Sequence, residues 1–464
     1  MTAEKRERFR AALRAELEAI QARAGVAASS GGYSAGGPRK EVPLGKRRRQ
    51  GPPHSAAVRG LTLVSDEDGV LSWEEGYLLP AAESTLRRRR TGRRTEVVDQ
   101  LQVEPLEPSR VSQRLEEADR DLTPNQGLLE WRQGQLAALP AEETITQGRV
   151  LLFLHGAFSH AQPIFDQLLG HGAGRAFLND AAACYDRILA FNHPTLAVSP
   201  VLNALDLAQR FTGAPHVDVI SHSRGGLVAR WWLEAFDRPP AGARRRAILV
   251  GSPLGGTSLA SPPHLRRLLS WGSNLAAYLD CGASTGSLLI PWVKVVAWLA
   301  QLTGVVTNLI AATPLVDAAI ALVPGLAAMS RTLNNPELTR LRMRRTPAPE
   351  YRVIRASYRP DPVGWKFWRA FVGPRERALH ALFPAANDTV VDFDAMADLP
   401  EPVPALEFPE GPVVHHTNYF LQPETANWLR EQLLESDGAA IWKPRSSRGR
   451  AKSPRARRDG RAHS

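Results

Sequence analysis

Short apolar runs alternate with mixed polar and apolar stretches through the middle of the chain. Several of the mixed stretches, such as 198–212 and 225–237, have the spacing of amphipathic helices. Buried parallel strands appear in a sequence as short, nearly continuous apolar runs, and helices connect them. The pattern therefore predicts an α/β fold with a mostly parallel sheet flanked by helices. The runs are GLLEWRQG (127–134), RVLLFLHG (149–156), YDRILAFNH (185–193), HVDVIS (216–221), RRAILVGSP (245–253) and YRVIRASY (351–358).

The first 126 residues do not follow this alternation. The chain starts with a charged amphipathic helix, because four apolar residues lie on one face at helical spacing. Residues 26–55 are rich in Gly, Ser, Pro and Arg and predict a linker. Residues 56–110 predict a β-rich, loosely packed segment with a hairpin around Asp68-Gly69, and whether it is a separate small domain stays open. The apolar residues of the helix are Phe9, Leu13, Leu17 and Ile20.

Between residues 261 and 345 the alternation gives way to a long insertion rich in Leu, Ala, Val and Trp. Its segment 287–312 is long enough to be mistaken for a membrane span. Polar residues recur there every seven positions and therefore share one face of a helix. A lysine and two amides near a bilayer centre would be costly, so we predict a packed helical cap or lid, with peripheral membrane contact of its apolar surface as an alternative. The polar residues are Ser287, Lys294, Gln301 and Asn308.

The formal net charge of +11 would suggest a nucleic-acid or anionic-surface partner if it lay on the folded body. It lies in the tails instead. Residues 1–50 hold 12 Lys and Arg against 5 Asp and Glu, and residues 443–464 hold 9 against 1. Because the segments GKRRRQGPP (45–53) and 443–464 contain few apolar residues, we expect them to be solvated tails, with weak contact with anionic surfaces and no specific nucleic-acid binding.

The two cysteines, Cys184 and Cys281, are too few for a disulfide framework and fit a reducing compartment. No signal-peptide pattern is visible at the start of the sequence. A cytoplasmic location is the resulting expectation.

Ser223 lies in VDVISHSRGGLVARWW (217–232), between a predicted buried strand and a predicted helix. A tight strand-to-helix turn can hold a serine hydroxyl out above a sheet, where it can act as a nucleophile. Small flanking residues are needed for steric reasons. Gly225 meets this need, whereas Ser221 stands where the G-x-S-x-G pattern has its first glycine.

The segment LFLHGAFSH (152–160) offers the second component of an acyl-transfer site. An apolar strand that ends in His-Gly provides a turn whose backbone amide can face a tetrahedral oxyanion. We expect this amide to come from Ala157 or Phe158 and a second one from Arg224. The Arg224 side chain is expected to be exposed or locally paired, with an anionic head group as the alternative partner.

Two segments after the serine offer a carboxylate and an imidazole. In ANDTVVDF (386–393), Asp388 is the predicted acid, which would hold an imidazole in one tautomer. In GPVVHHTNYF (411–420), either His415 or His416 can act as general base, and His416 is favoured because it lies a few residues before the last predicted helix. The alternative acids are Asp361, Asp392 and Asp394.

The order Ser, Asp, His on an alternating sheet resembles the α/β-hydrolase superfamily, in its lipase and esterase branch. GSPLGGTSLA (251–260) is also similar to a G-T-P-x-x-G-T-x-x-A stretch of bacterial and phospholipid-directed lipases. The resemblance implies a serine hydrolase for ester or lipid substrates, with a helical lid and without cofactor or catalytic metal. It implies Ser223 as nucleophile, Asp388 as acid and His416 as base. An acyltransferase with the same triad and a non-catalytic interaction protein of this fold are the alternatives.

These patterns divide the chain into six parts. The predicted parts are an N-terminal helix and basic, partly disordered linker (1–55), a β-rich extension (56–126), a first part of the core (127–260), the cap or lid (261–345), a second part of the core (346–440) and a basic disordered tail (441–464).

Overall fold

The computed structural model describes most of the predicted core and parts of the other segments. The described residues are 3–23, 59–66, 70–77, 87–88, 94–102, 111–213, 216–257, 260, 269–270, 273, 293–301, 323–331, 335–343, 349–359 and 387–435. Residues 24–58 of the predicted linker and 436–464 around the predicted tail therefore lie outside the described residues.

The N-terminal part combines a helix, a small antiparallel sheet and a second helix. The sheet has the strand order β2-β1-β4-β3. Its first two strands form the hairpin that the sequence predicts, with Ser65 opposite Leu71, whereas Asp68-Gly69 lie outside the described residues. The elements are α1 (Ala3–Arg23), β1 (Arg59–Asp66), β2 (Leu71–Tyr77), β3 (Arg87–Arg88), β4 (Arg94–Gln102) and α2 (Val111–Leu122).

The described residues of this N-terminal part are well packed, so for them the expectation of a loose segment was wrong. The predicted apolar face of α1 is buried, and Leu63 of β1 is completely inaccessible to solvent. Trp73 of β2 donates from its indole nitrogen to Ser273 Oγ at 2.8 Å, which connects the small sheet to the insertion. These side chains belong to the same apolar cluster as strands of the central sheet. This packing removes apolar surface from contact with water, which stabilises the fold. The irregular sequence pattern did not indicate it.

The central sheet has eight strands and confirms the predicted α/β fold. Its order is β12-β11-β10-β9-β7-β8-β5-β6, and all neighbours from β12 to β8 pair in parallel. β5 is antiparallel to β8 and to β6. The strands are β5 (Gly127–Arg132), β6 (Gln135–Ala138), β7 (Arg149–Leu154), β8 (Arg187–Asn192), β9 (His216–His222), β10 (Arg244–Val250), β11 (Glu350–Tyr358) and β12 (Ala405–Gly411).

Both faces of this sheet are covered by apolar side chains. Along β7, Leu152 and Leu154 join one apolar cluster, and Leu151 and Phe153 join the other. Successive side chains of a strand point to opposite faces, which explains why the strand sequences are continuously apolar. The helices in and around the core are α3 (Gln162–Leu169), α4 (Gly172–Cys184), α5 (Pro200–Arg210), α6 (Gly225–Trp231), α7 (Pro324–Ala327), α8 (Pro336–Met343) and α9 (Pro423–Arg430).

The predicted cap or lid (261–345) is described only in part. Residues 293–301 are helical, and Val293 and residues 295–300 are buried there, as a packed helix requires. Lys294 and Gln301 of the predicted polar face are half-buried, whereas Ser287 and Asn308 lie outside the described residues. Within the described ranges, no helix combines the length and the apolar character needed to cross a bilayer.

The chain changes direction at β7, and this places the site. From β7 it continues to β8 on one side and then returns to β9 on the other. In open α/β sheets, a crevice forms at such a point outside the carboxyl ends of the strands. Residues 155–158, after β7, and Ser223, after β9, follow those two ends.

Candidate active site

Ser223 occupies the sharp turn between β9 and α6. Its backbone has a φ of 53°, in the left-handed region that non-glycine residues rarely adopt, and its amide donates to Val250 O at 2.8 Å. A side chain at Gly225 would place its Cβ 2.6 Å from Leu154 O, so only glycine lets α6 start this close to the end of β7. The surrounding strands therefore hold the serine in a strained conformation.

Of the two candidate histidines, His416 lies beside the serine. Its Nε2 atom is 2.8 Å from Ser223 Oγ. Its backbone is fixed from both sides, because its amide donates to Asp388 O and its carbonyl accepts from the His222 ring, each at 2.8 Å. The His415 ring packs edge-on against Tyr358 and contacts the Thr417 hydroxyl instead.

Asp388 lies behind His416 and is completely buried. Its Oδ2 atom is 2.7 Å from His416 Nδ1, and its Oδ1 atom accepts from the amides of Val391 at 2.8 Å and Val390 at 3.1 Å. Burial by itself would raise the pKa of this carboxyl. The facing His416 ring and the two amides outweigh burial, and the pKa of Asp388 is lowered from its ordinary value.

The other candidate acids lie elsewhere. Asp392 pairs with Arg331, and Asp394 begins a short 3₁₀ helix (Asp394–Ala397); neither contacts His416. Asp361 lies outside the described residues. Asp388 lies in a turn closed by an Asn387–Asp392 bridge, and the Tyr358 amide at the end of β11 donates to Asn387 O at 2.7 Å. This contact with the end of β11 holds the turn that carries Asp388.

The turn at residues 156–158 lies against Ser223. A Cβ atom on Gly156 would stand 2.8 Å from the Ser223 Cβ, so the backbone approaches the serine closely. The His193 amide donates to His155 Nε2 at 3.0 Å, which leaves Nδ1 to carry the proton and donate to Gly156 O at 2.8 Å. Burial lowers the pKa of His155 to about 3. The ring is therefore neutral while it holds this turn.

The two candidate amides of this turn differ in their partners. The Phe158 amide donates to the Thr195 hydroxyl at 3.2 Å. The amide of Ala157, like that of Arg224, meets no acceptor in the part of the chain that the structure describes. Ala157 and Arg224 are therefore the two amides that remain open next to Ser223, while Phe158 already has an acceptor.

The Arg224 side chain was expected to be exposed or locally paired; it is completely buried, so the exposed alternative was wrong. Its Nη2 atom donates to Val198 O at 2.5 Å. Burial lowers the pKa of this guanidinium to about 10, against the opposing influence of Asp119 and Glu337. It remains a cation at neutral pH. The guanidinium supports the 193–199 loop after β8 rather than the protein surface.

Sequence reasoning missed two side chains of the site. His222 precedes Ser223 and lies against the His416 ring, with centroids 5.0 Å apart. Tyr419 donates from its hydroxyl to Asp388 Oδ2 at 2.9 Å. Tyr419 stands inside the HTNYF segment that suggested His416, but no local signal connects it to a carboxylate 31 positions earlier. Among the described residues, no group of three His, Cys, Asp or Glu side chains is arranged to hold a metal ion.

A hydroxyl, an imidazole and a carboxylate in this order can move the hydroxyl proton to the ring and stabilise the charge that results. Residues 121–434 match the family described as "Domain of unknown function (DUF7379)". The chain belongs to this family. The match covers the complete central sheet and includes Ser223, Asp388 and His416, whereas the N-terminal sheet and all but the last two residues of α2 lie before it.

This DUF7379 chain has the α/β-hydrolase fold, as the sequence predicts. The sheet is mostly parallel, and the serine turn is followed along the chain by the carboxylate and the histidine. The predicted resemblance to that superfamily is confirmed at the level of the fold.

Several solved structures are similar to this DUF7379 chain. Lipase 1 from Pelosinus fermentans is 13% identical, with 62% of this chain and 98% of that chain covered and a TM-score of 0.36. The lipase BlEst2 from Bacillus licheniformis is 15% identical, with 64% and 95% covered and a TM-score of 0.32. A thermophilic esterase from Thermogutta terrifontis is 15% identical, with 62% and 90% covered and a TM-score of 0.32. No curated protein matches the chain. At these identities the similarity concerns the fold alone.

Proposed function

We propose that this protein is a serine hydrolase that cleaves carboxylic esters through an acyl-enzyme on Ser223. The observation that carries the proposal is the 2.8 Å approach of His416 Nε2 to Ser223 Oγ, with Asp388 Oδ2 2.7 Å from the other ring nitrogen. These are hydrogen-bond distances, as a general base and its orienting carboxylate require.

The first step transfers the acyl group. His416 accepts the proton of the Ser223 hydroxyl while the oxygen attacks the ester carbonyl carbon. The resulting tetrahedral intermediate carries a negative oxygen, and His416 then gives the proton to the departing alcohol. Asp388 stays ionised throughout, since its lowered pKa favours the carboxylate, and it stabilises the imidazolium.

The second step releases the acid. Water attacks the acyl-enzyme as His416 takes its proton, a second tetrahedral intermediate forms, and the proton returns to Ser223 Oγ as the carbon–oxygen bond breaks. In both steps we assign the open amides of Ala157 and Arg224 to the negative oxygen. Removal of one such donor typically raises the barrier by about 3 kcal/mol, which is roughly a 10²-fold loss of rate, so the geometry of the 156–158 turn contributes substantially to catalysis.

For the substrate we propose an ester with an apolar acyl group. The proposal draws on the Leu-, Val- and Trp-rich composition of residues 261–345, and on the helix 293–301 within that segment, in which Val293 and residues 295–300 are buried. The names of the lipases and esterases that share the fold point in the same direction.

A panel of p-nitrophenyl esters of increasing acyl length tests the proposal. The parent protein should release p-nitrophenol with an optimum of chain length, and Ser223→Ala should lose about 10⁴-fold or more of the activity. Ser221→Ala is the matched control, because Ser221 is also buried, two positions earlier at the end of β9, but its hydroxyl donates to Ile248 O at 3.3 Å. It should keep activity within a fewfold of the parent.

Equal turnover by the parent and Ser223→Ala would exclude the acyl-enzyme mechanism. Analysis of the products of a labelled acyl ester separates the two enzyme classes, because a hydrolase yields the free labelled acid and an acyltransferase yields a new ester when an alcohol is supplied. A parent protein without any turnover, and whose Ser223 does not react with a fluorophosphonate probe, would support the non-catalytic alternative.

A further inference from the structure

The Asp119 carboxylate lies in a buried pocket of hydrogen-bond donors near the end of α2. Its side chain receives the amides of Thr195 at 2.6 Å, Leu196 at 2.9 Å and Ala197 at 2.7 Å. It also receives the Thr195 hydroxyl at 3.2 Å. Asp119 is buried, with 1% of its surface exposed. The four donors on its carboxylate fix the loop after β8 against α2.

The direction of the Thr195 hydroxyl follows from this contact. An ionised carboxylate can only accept, so the hydroxyl must point its single proton at Asp119. Its lone pairs are then available to a donor on the other side. That donor is the Phe158 amide, at 3.2 Å from Thr195 Oγ1. The three groups form a relay from Asp119 to the 156–158 turn.

The turn needs such support because its conformation is unfavourable by itself. Phe158 has a φ of 55°, which is uncommon for a bulky residue and persists only where the surroundings enforce it. The Thr195 hydroxyl fixes the peptide plane between Ala157 and Phe158. That plane adjoins the peptide carrying the open Ala157 amide, so rotation at Ala157 is restrained.

The same end of α2 also holds the chain beyond the turn. The Thr123 hydroxyl donates to Ser159 O at 2.8 Å. Asn192 bridges the two segments, since its Oδ1 atom accepts from the Ala161 amide at 2.9 Å and its Nδ2 atom donates to Pro124 O at 2.8 Å. The residues after the turn are thus anchored independently, and within the turn the His155 ring holds Gly156 O while the Thr195 hydroxyl holds the Phe158 amide.

We infer that Thr195, oriented by Asp119, is a positioning residue that holds the Ala157 amide in place for the negative oxygen of the tetrahedral intermediate. This inference rests on the proposed function. Asp119 lies two positions before the segment that matches the family, so the N-terminal extension contributes to the catalytic geometry. The relay acts through backbone position and does not touch the substrate.

Kinetics of Thr195→Val and Thr195→Ser on a p-nitrophenyl ester test this role. Valine keeps the shape of threonine but cannot accept from Phe158, and serine keeps the hydroxyl. Thr195→Val should lower kcat roughly 10- to 100-fold with KM within about twofold, because the amide acts only on the transition state. Thr195→Ser should recover most of kcat. Asp119→Asn, which leaves the hydroxyl without its ionised acceptor, should lower kcat in the same selective way.

Inhibition by an alkyl trifluoromethyl ketone adds a readout that a loss of stability would not change. This compound forms a tetrahedral adduct on serine, so its Ki should rise in parallel with the fall of kcat, whereas the Ki of the corresponding methyl ketone should stay near the parent value. The matched control is Thr425→Val, since the buried Thr425 hydroxyl has no hydrogen-bond partner among the described residues. It should leave kcat and both Ki values unchanged.

The outcomes separate the two proposals. A parent protein that turns over esters, together with a folded Thr195→Val or Asp119→Asn that keeps the parent kcat, would overturn the positioning role and leave the proposed function intact. A parent protein that turns over no ester would refute the function first. If the circular dichroism spectrum shows that one of these two variants has lost its fold, the kcat of the other variant decides.

Discussion

Tyr419 and Asp388 share a hydrogen bond of 2.9 Å, and it reaches the same Oδ2 atom that contacts His416 Nδ1 at 2.7 Å. The tyrosine is completely buried and lies three positions after the histidine. One carboxylate oxygen therefore receives two donors, one from the ring that it orients and one from the same short segment. This shared oxygen links the position of the histidine to that of the acid.

Tyr419→Phe should lower kcat about 3- to 30-fold and destabilise the fold by about 1–2 kcal/mol, because a buried hydrogen bond to a charged group is lost while the ring still packs. Steady-state kinetics and urea denaturation measure both. Tyr351→Phe is the control, since it removes a buried hydroxyl that donates to Glu234 Oε1 at 2.8 Å, away from Ser223. It should lose similar stability and keep its kcat. An unchanged kcat in Tyr419→Phe would show that the shared oxygen does not orient His416.

Asp388→Asn should lower kcat by roughly 10³- to 10⁴-fold, because the amide cannot stabilise the imidazolium and favours the wrong tautomer of His416. Asp392→Asn is the matched control four positions later. Its carboxylate pairs with Arg331 and does not contact His416, so its kcat should stay within a fewfold of the parent. The reverse ranking of the two variants would assign the acid to Asp392.

Gly156→Ala should lower kcat/KM about 100-fold or more. The new Cβ would stand 2.8 Å from the Ser223 Cβ, so either the serine or the turn must move, and displacements of about 1 Å in an active site cost this much. Gly172→Ala is the control, because a Cβ there has no neighbour within 4 Å and the residue opens α4. It should keep the parent kinetics and melting temperature. Parent-like kinetics in Gly156→Ala would contradict the close approach.

Acid should destabilise the fold before the carboxylates titrate. Burial lowers the pKa of His155 and of His222 from 6.5 to about 3. Between pH 6.5 and about pH 3, these two histidines bind protons in the unfolded chain but not in the folded chain. Each ring therefore contributes stability that is present above pH 6.5 and is lost as the pH falls. Well below pH 6.5 the loss is about 1.4 kcal/mol per pH unit for each histidine.

Urea denaturation at pH 7.5, 6.5, 5.5 and 5.0 measures this slope. His222→Gln should reduce the slope of the unfolding free energy against pH by the contribution of one histidine. His216→Gln should leave the slope unchanged, because His216 is exposed at the start of β9. A free energy of unfolding that is constant from pH 6.5 to 5.0 would contradict the prediction. The low pKa of His222 also means that this ring stays neutral, as its hydrogen bond to His416 O allows, across the range in which the kinetics would be measured.

Local patterns in the sequence predicted most of the central sheet and the turn at Ser223. Continuous apolar runs predicted six strands of the central sheet, and the small residues around Ser223 predicted its turn, because burial and steric fit act within a few residues of each position. β6 and β12, the two edge strands of this sheet, were not predicted. β12 has a single buried residue, Phe408, and its other residues are exposed or half-buried, which is typical of an edge strand and gives no apolar run.

The choice among candidates needed the tertiary structure. His415 and His416 are neighbours in sequence, and only the fixation of the His416 backbone by Asp388 and His222 directs one ring to the serine. Other features also depend on contacts between segments far apart along the chain. They are the packing of the N-terminal sheet, the burial of Arg224 and the relay from Asp119. Short-range hydrophobic pattern therefore determined the sheet and the nucleophile turn of this protein. The folded chain alone decided which side chains meet there, since hydrogen bonds between distant segments leave no periodic trace in sequence.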